Sequence, residues 1–236
     1  MNTLTVRRWL DRLAPILWAA ALIGYYAPWV ARNPMSAALA WNAYDLFDLL
    51  RLLPEVESGA ISVNLQALRL PLVGLAMIPP LLLHRVSAWI RWTAGLFGAF
   101  LAALTLPPYP EILEAWRVPG WSGVLGWAIA GAVLALSFVP LAPRLKRYRG
   151  WIIIAVVCVT AIPASVTLHR MLPPLSRLHA TPVRAGWGHW LYIFGMGLIG
   201  VSAWFQTILQ GANYERHQAT DATASKDQKE IRVEAS

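Results

Sequence analysis

Charge is what this chain has least of. Only 14% of its 236 residues are Asp, Glu, Lys or Arg, against about 25% in an ordinary soluble domain. So little charge cannot clothe a water-facing surface, and the 57% of hydrophobic residues gather in long runs. Both observations place the chain in a bilayer; its mean hydropathy is +0.49. Cysteine is nearly absent. Cys158 stands alone inside an apolar run, which excludes an intramolecular disulfide and leaves it the role of a small packing residue. Lysine is scarce (Lys146, Lys226, Lys229), and arginine supplies the other basic residues. With abundant Ala, Trp and Pro, that composition suits a GC-rich bacterial genome. Carboxylates are missing from the apolar runs: all 12 Asp and Glu fall in loops, termini or the tail. This argues against ion-coupled transport built on buried carboxylates. A phosphate-cradling glycine loop is also missing. The net charge of +8 is spread along the chain and does not read as a nucleic-acid surface.

Six runs approach the roughly 20 apolar residues a helix needs to cross a bilayer. They cover 13–31, 65–84, 88–106, 122–142, 151–171 and 188–209. The second is interrupted by Arg69, Pro71 and Pro79–Pro80. The expected fold is all-α: a polytopic membrane bundle of six transmembrane helices over residues 1–210, followed by a disordered polar tail over 211–236. Orientation follows from the basic residues. With the N-terminus in the cytoplasm, the cluster Arg144, Lys146, Arg147 and Arg149 lies inside with most other basic residues. Both termini are then cytoplasmic, in the inner membrane of a bacterium. Trp29, Trp116, Trp121, Trp187 and Trp190 fall at the outer interface, and Trp9, Trp89, Trp92 and Trp151 at the inner one. Arg69 and Arg91 lie near span ends, where a long side chain can snorkel. Arg7 and Arg8 resemble the charged start of a signal peptide, but the apolar run behind them is too long, so the first span is expected to be retained.

The first outer loop, 32–64, contains NAYDLFDLLRLLP. Asn42 suits an N-cap with Asp45 three residues on. Leu46, Leu49, Leu50 and Leu53 recur at helical spacing, opposite Asp45, Asp48 and Arg51, and Pro54 ends the pattern. A short amphipathic helix roofing the bundle is expected. The other outer loops, 106–112 and 171–186, are proline-rich and should be semi-rigid. Small residues recur at four-residue spacing: Gly95, Ala99, Ala103 and Ala94, Gly98, Ala102 in the third run, with Gly126–Ala130 and Gly131–Ala135 in the fourth. They suit close helix packing inside the bundle or against another subunit.

Five histidines are present. His84 ends the second run and His217 lies in the tail. His169, His179 and His189 map to the outer side and are the candidate metal ligands, since three imidazoles can hold zinc with one position open. They lie ten residues apart with no local pair such as H-x-x-x-H. No cofactor is expected.

One stretch carries a candidate for catalysis. VPGWSGVLGW (118–127) places Gly120, Trp121, Ser122 and Gly123 at the start of the fourth run. A Gly-x-Ser-Gly ahead of an apolar helix resembles the nucleophile motif of rhomboid intramembrane proteases. That family has a six-span core, its serine at the start of the fourth span and a general-base histidine on the sixth. The resemblance implies Ser122 as nucleophile and His189, opening the sixth run on the same side, as the base that takes its proton. The family's second span also carries a histidine and an asparagine that help hold the oxyanion; ALRLPLVGLAMIPP (67–80) has neither. The glycines expected after the histidine are replaced by Trp190, Leu191 and Tyr192, and the first-loop Trp-Arg pair is missing. Read without the resemblance, Ser122 is an N-cap, and Gly120 and Gly123 permit a tight approach from Pro119.

The leading expectation is a non-enzymatic integral membrane protein. It would serve as an accessory, scaffold or permease-like subunit of a larger membrane complex, such as a transporter. Its partners would be the lipid bilayer and other membrane-protein subunits, not nucleic acid. The alternatives are a rhomboid-like serine protease using Ser122 and His189, and a stand-alone small-molecule carrier.

Overall fold

The most uniformly apolar segment lies at the centre of the molecule. LPLVGLAMIPPLL has no polar face to turn toward water, and it forms a helix buried on nearly every side. The computed structural model describes residues 3–32, 40–59, 61, 64–83, 86–106, 113, 117 and 121–209. In chain order they form α1 (Thr3–Tyr26), β1 (Val30–Arg32), α2 (Ala43–Arg51) and the short α3 (Pro54–Glu57). A 3-10 turn (Leu65–Leu68) leads into α4 (Leu70–Leu82), followed by α5 (Ala88–Ala103), α6 (Trp121–Leu141), α7 (Arg149–Leu178) and β2 (Val183–Ala185). The last helix is α8 (Trp187–Leu209). The fold is helical throughout, apart from one two-stranded ribbon. Three helices are long and apolar enough to cross a membrane: Ser122–Leu141, Arg149–Leu178 and Trp187–Leu209. The second apolar run differs from its expected 65–84: its α-helix is only 13 residues long, because the chain enters through the 3-10 turn. The tail, His84, the 106–112 loop beyond Leu106 and Gly120 lie outside the described residues.

Small residues let neighbouring helices close on α4. A Cβ on Gly98 of α5 would strike the carbonyl oxygen of Ala76, and one on Gly131 of α6 would strike Val73 and Ala102. Ala94, Gly95, Gly98, Ala102 and Ala135 are all buried by this packing. Ala99 and Ala130 are half-buried and Ala103 is exposed; Gly126 has open space where its Cβ would be. A second seam joins the ends of the chain. Gly24 of α1 lies against the backbone of Gly188 and Tyr192 in α8, and Gly195 of α8 lies against Leu17 and Ala21.

The ribbon marks one end of the bundle, here the ribbon end. β1 pairs antiparallel with β2, Val30 opposite Ala185 and Arg32 opposite Val183. Trp41 bridges to Val30, and Gly186 and Gly188 donate to the carbonyls of Trp29 and Pro28. The exit from α1, the approach to α2 and the start of α8 are thereby stitched together.

α2 lies at this end with Ala43, Leu46, Phe47 and Leu50 buried. Asn42 accepts from the Asp45 N–H at 2.8 Å, and its own amide donates to the Asp45 carboxylate. The turn end, opposite, holds residues 142–148.

Several expectations change. α7 does not stop near 171 but runs through Pro173 and Pro174 to Leu178. A Schellman cap ends it: Ala180 adopts the left-handed conformation (φ 49°), its N–H reaches the carbonyl of Arg177, and Thr181 N–H reaches that of Ser176. The 171–186 segment is therefore mostly helix and strand. Trp29 is fully buried rather than part of an interfacial belt, its indole N–H donating to the Gly24 carbonyl. Cys158 is exposed on α7, not packed inside.

Candidate functional site at the ribbon end

Arg69 sits where the 3-10 turn passes into α4. Pro71 in the first turn of that helix gives up an N–H that has no intrahelical partner there. The Arg69 side chain does not snorkel to solvent. It is 1% exposed, covered by α2. Its guanidinium carbon lies 3.7 Å from the Tyr44 ring centroid and 4.7 Å from that of Phe47, inside the range for cation–π attraction. Nη2 donates to Asp48 Oδ2 at 3.1 Å, and the Asp48 side chain is 43% exposed. Asp48 thus belongs to the seam between roof and bundle rather than to a solvated stripe. Nε and Nη1 are buried without a partner. Those two atoms carry three of the five guanidinium N–H groups.

Aromatic rings continue inward from this point. Tyr25, fully buried, lies within electrostatic range of Arg69, Tyr44 and Tyr192. Its ring is 6.1 Å from Trp29, which is 5.4 Å from Tyr192 and 5.2 Å from His189. The hydroxyl of Tyr25 and Nδ1 of His189 also lack partners.

The two residues of the rhomboid resemblance are not brought together. Ser122 is exposed, and no hydrogen bond joins it to His189. α6 already begins at Trp121, so Ser122 lies in its first turn rather than at the N-cap. Gly123 packs against the Gln66 carboxamide. His189 faces a different serine: its Nε2 is 3.1 Å from Ser165 Oγ of α7. That distance suits a nucleophile and its base. But Ser165 sits in the middle of α7, where successive backbone N–H groups are committed to the helix and cannot converge on an oxyanion.

The three candidate metal ligands divide. His169 and His189 meet edge to face, with centroids 5.4 Å apart, and His169 Nδ1 is 2.8 Å from the Ser165 carbonyl. His179 ends α7 and stacks on Trp41 at 5.4 Å. Among the described residues no three His, Cys, Asp or Glu side chains are placed to hold one ion.

Arg69 in an apolar run was the one visible sequence signal for this site. Tyr25, Asp48 and Ser165 gave none, because only the fold brings them to their partners. Compared with protein-family models, curated proteins and solved structures, the chain shows no match.

Proposed function

We propose that this chain is a non-enzymatic, six-span protein of the bacterial inner membrane. It works as a permease-like or accessory subunit of a larger membrane complex. The observation that carries the reading is Arg69: a buried, incompletely partnered cation under a roofing helix, in a bundle whose buried side chains are mostly apolar. Such a site is suited to holding a polar group rather than to breaking a bond, since the neighbouring Ser165–His189 pair lacks oxyanion donors.

Lengths support six spans. The 3-10 turn and α4 together rise about 28 Å at 2.0 and 1.5 Å per residue, close to the roughly 30 Å hydrocarbon core. α1 has 24 residues; the 16 of α5 rise about 24 Å, the shortest of the six and below the core thickness. The basic cluster in 144–149 puts the turn end in the cytoplasm. The ribbon end then faces outward. α7, with its 30 residues, rises about 45 Å, and its last turns stand clear of the hydrocarbon at that end. Exposed Gly126 leaves a small-residue face on α6 for another helix.

Mild crosslinking of membranes, followed by solubilisation and native mass measurement, tests the reading. A defined hetero-complex containing this chain is expected. A chain that runs alone and monomeric after crosslinking would overturn it.

A further inference from the structure

Buried nitrogen and oxygen atoms without partners are few in a folded protein, and each calls for an explanation. Here they cluster. Nε and Nη1 of Arg69 and the hydroxyl of Tyr25 are all buried and unpartnered, and the two side chains lie within electrostatic range of each other. The guanidinium is a fixed positive charge, here paired through one of its nitrogens with Asp48. Asp48 reaches this guanidinium through Nη2, and its side chain is 43% exposed, so part of its field is screened. Water could fill the empty hydrogen-bonding positions, but water brings no charge. An anion satisfies both the geometry and the field.

We propose that Arg69 and Tyr25 form a binding site for the carboxylate group of a small anionic ligand, reached from the ribbon end past Asp48. The aromatic rings of Tyr44 and Phe47 occupy the approach to the guanidinium face, leaving its edge. A planar carboxylate pairs with a guanidinium edge through two parallel N–H···O bonds; each such edge includes Nη2, so a ligand takes Nε or Nη1 together with the nitrogen that Asp48 holds. The position is already shown to accept a carboxylate oxygen, because Asp48 Oδ2 lies 3.1 Å from Nη2. Asp48 therefore acts as an internal competitor that a ligand must displace or share the arginine with. Tyr25 supplies a neutral donor. The contrast between Arg69, 1% exposed, and the Asp48 side chain, 43% exposed, puts the way in on the Asp48 side.

The site rests on the permease-like part of the function proposed above and names its ligand class. It is tested on the isolated chain, so its failure leaves the subunit assignment standing, and the reverse also holds. Thermal unfolding of the full chain in detergent is followed by tryptophan fluorescence during titration with formate, acetate or benzoate, at ionic strength held constant with chloride. A saturable rise in Tm is expected with the carboxylates. Arg69→Gln should abolish it, Tyr25→Phe should weaken it several-fold, and Asp48→Asn should tighten it several-fold. Arg69→Lys keeps the charge without the planar fork, and should lose the preference for carboxylate over chloride. Four results overturn the proposal: no saturable shift in the unaltered chain, the same shift in Arg69→Gln, a shift with inorganic phosphate alone, or no gain in Asp48→Asn.

Discussion

The two ends of the bundle each bury one arginine, and they treat it differently. At the turn end Arg149, 3% exposed, donates to the Gln206 carboxamide oxygen, whose amide nitrogen donates to Asp11 at 3.1 Å. The chain of bonds links α7, α8 and α1, and no atom of these three side chains is among the buried unpartnered ones. Gly150 packs beside it against Thr207. At the ribbon end Arg69 is as deeply buried, yet Nε and Nη1 have nothing to donate to. A complete network locks three helices in one arrangement. An incomplete one keeps binding capacity in reserve. Burial alone would have made the two arginines look alike; counting their hydrogen bonds separates a structural tie from a candidate site.

That contrast can be broken by substitution. Arg149→Leu opens the complete network and should cost about 3–5 kcal/mol of stability, read as the midpoint of helix loss during denaturation in detergent. Arg69→Leu should cost markedly less, because part of that guanidinium is already unpartnered and Asp48 can return to water. Equal losses would erase the distinction between the ends. Asn42→Ala removes the cap that fixes the start of the roof and should cost about 1 kcal/mol; hydrogen exchange should rise in α2 and leave the turn end unchanged. The smallest effect has the opposite sign. Ala180 holds a left-handed conformation that glycine adopts without strain, so Ala180→Gly should stabilise by up to about 1 kcal/mol in the same denaturation assay.

The roof was readable because its signals are local. Asn42, Asp45 and the leucine spacing lie within three turns of one helix; the structure reproduces the cap and buries Leu46 and Leu50, joined by Ala43 and Phe47, while Leu49 and Leu53 are half-buried. The small-residue spacing was readable for the same reason; of its glycines, Gly98 and Gly131 close on α4, Gly95 packs on α6 and Gly126 faces open space. The ribbon was not. Three residues with no alternation pair with three others across most of the chain, and nothing short-range announces it. The burial of Trp29 depends on that ribbon, so a tryptophan at the expected headgroup level became a core residue. The end of α7 was missed because prolines 173 and 174 read as a stop, while the actual stop is a Schellman turn on an alanine. Within the site, Arg69 was visible but its depth was not, since the roof that covers it folds over from another segment. The Ser122–His189 pairing rested on two short stretches, and the helix register sends His189 toward Ser165.

The seam between α1 and α8 has a consequence for biosynthesis. Gly24 and Trp29 are made early, but the backbone they pack against, at Gly188 and Tyr192, comes near the end of the chain. At about 5–20 residues per second, the first helix waits on the order of 10–30 s for its neighbour. Throughout that interval its glycine face, and the indole of Trp29 that follows it, lack the partners they have in the finished fold. Docking of α8 onto α1 is then the step that closes this seam, and a protein that shields α1 in the meantime would find its opening there.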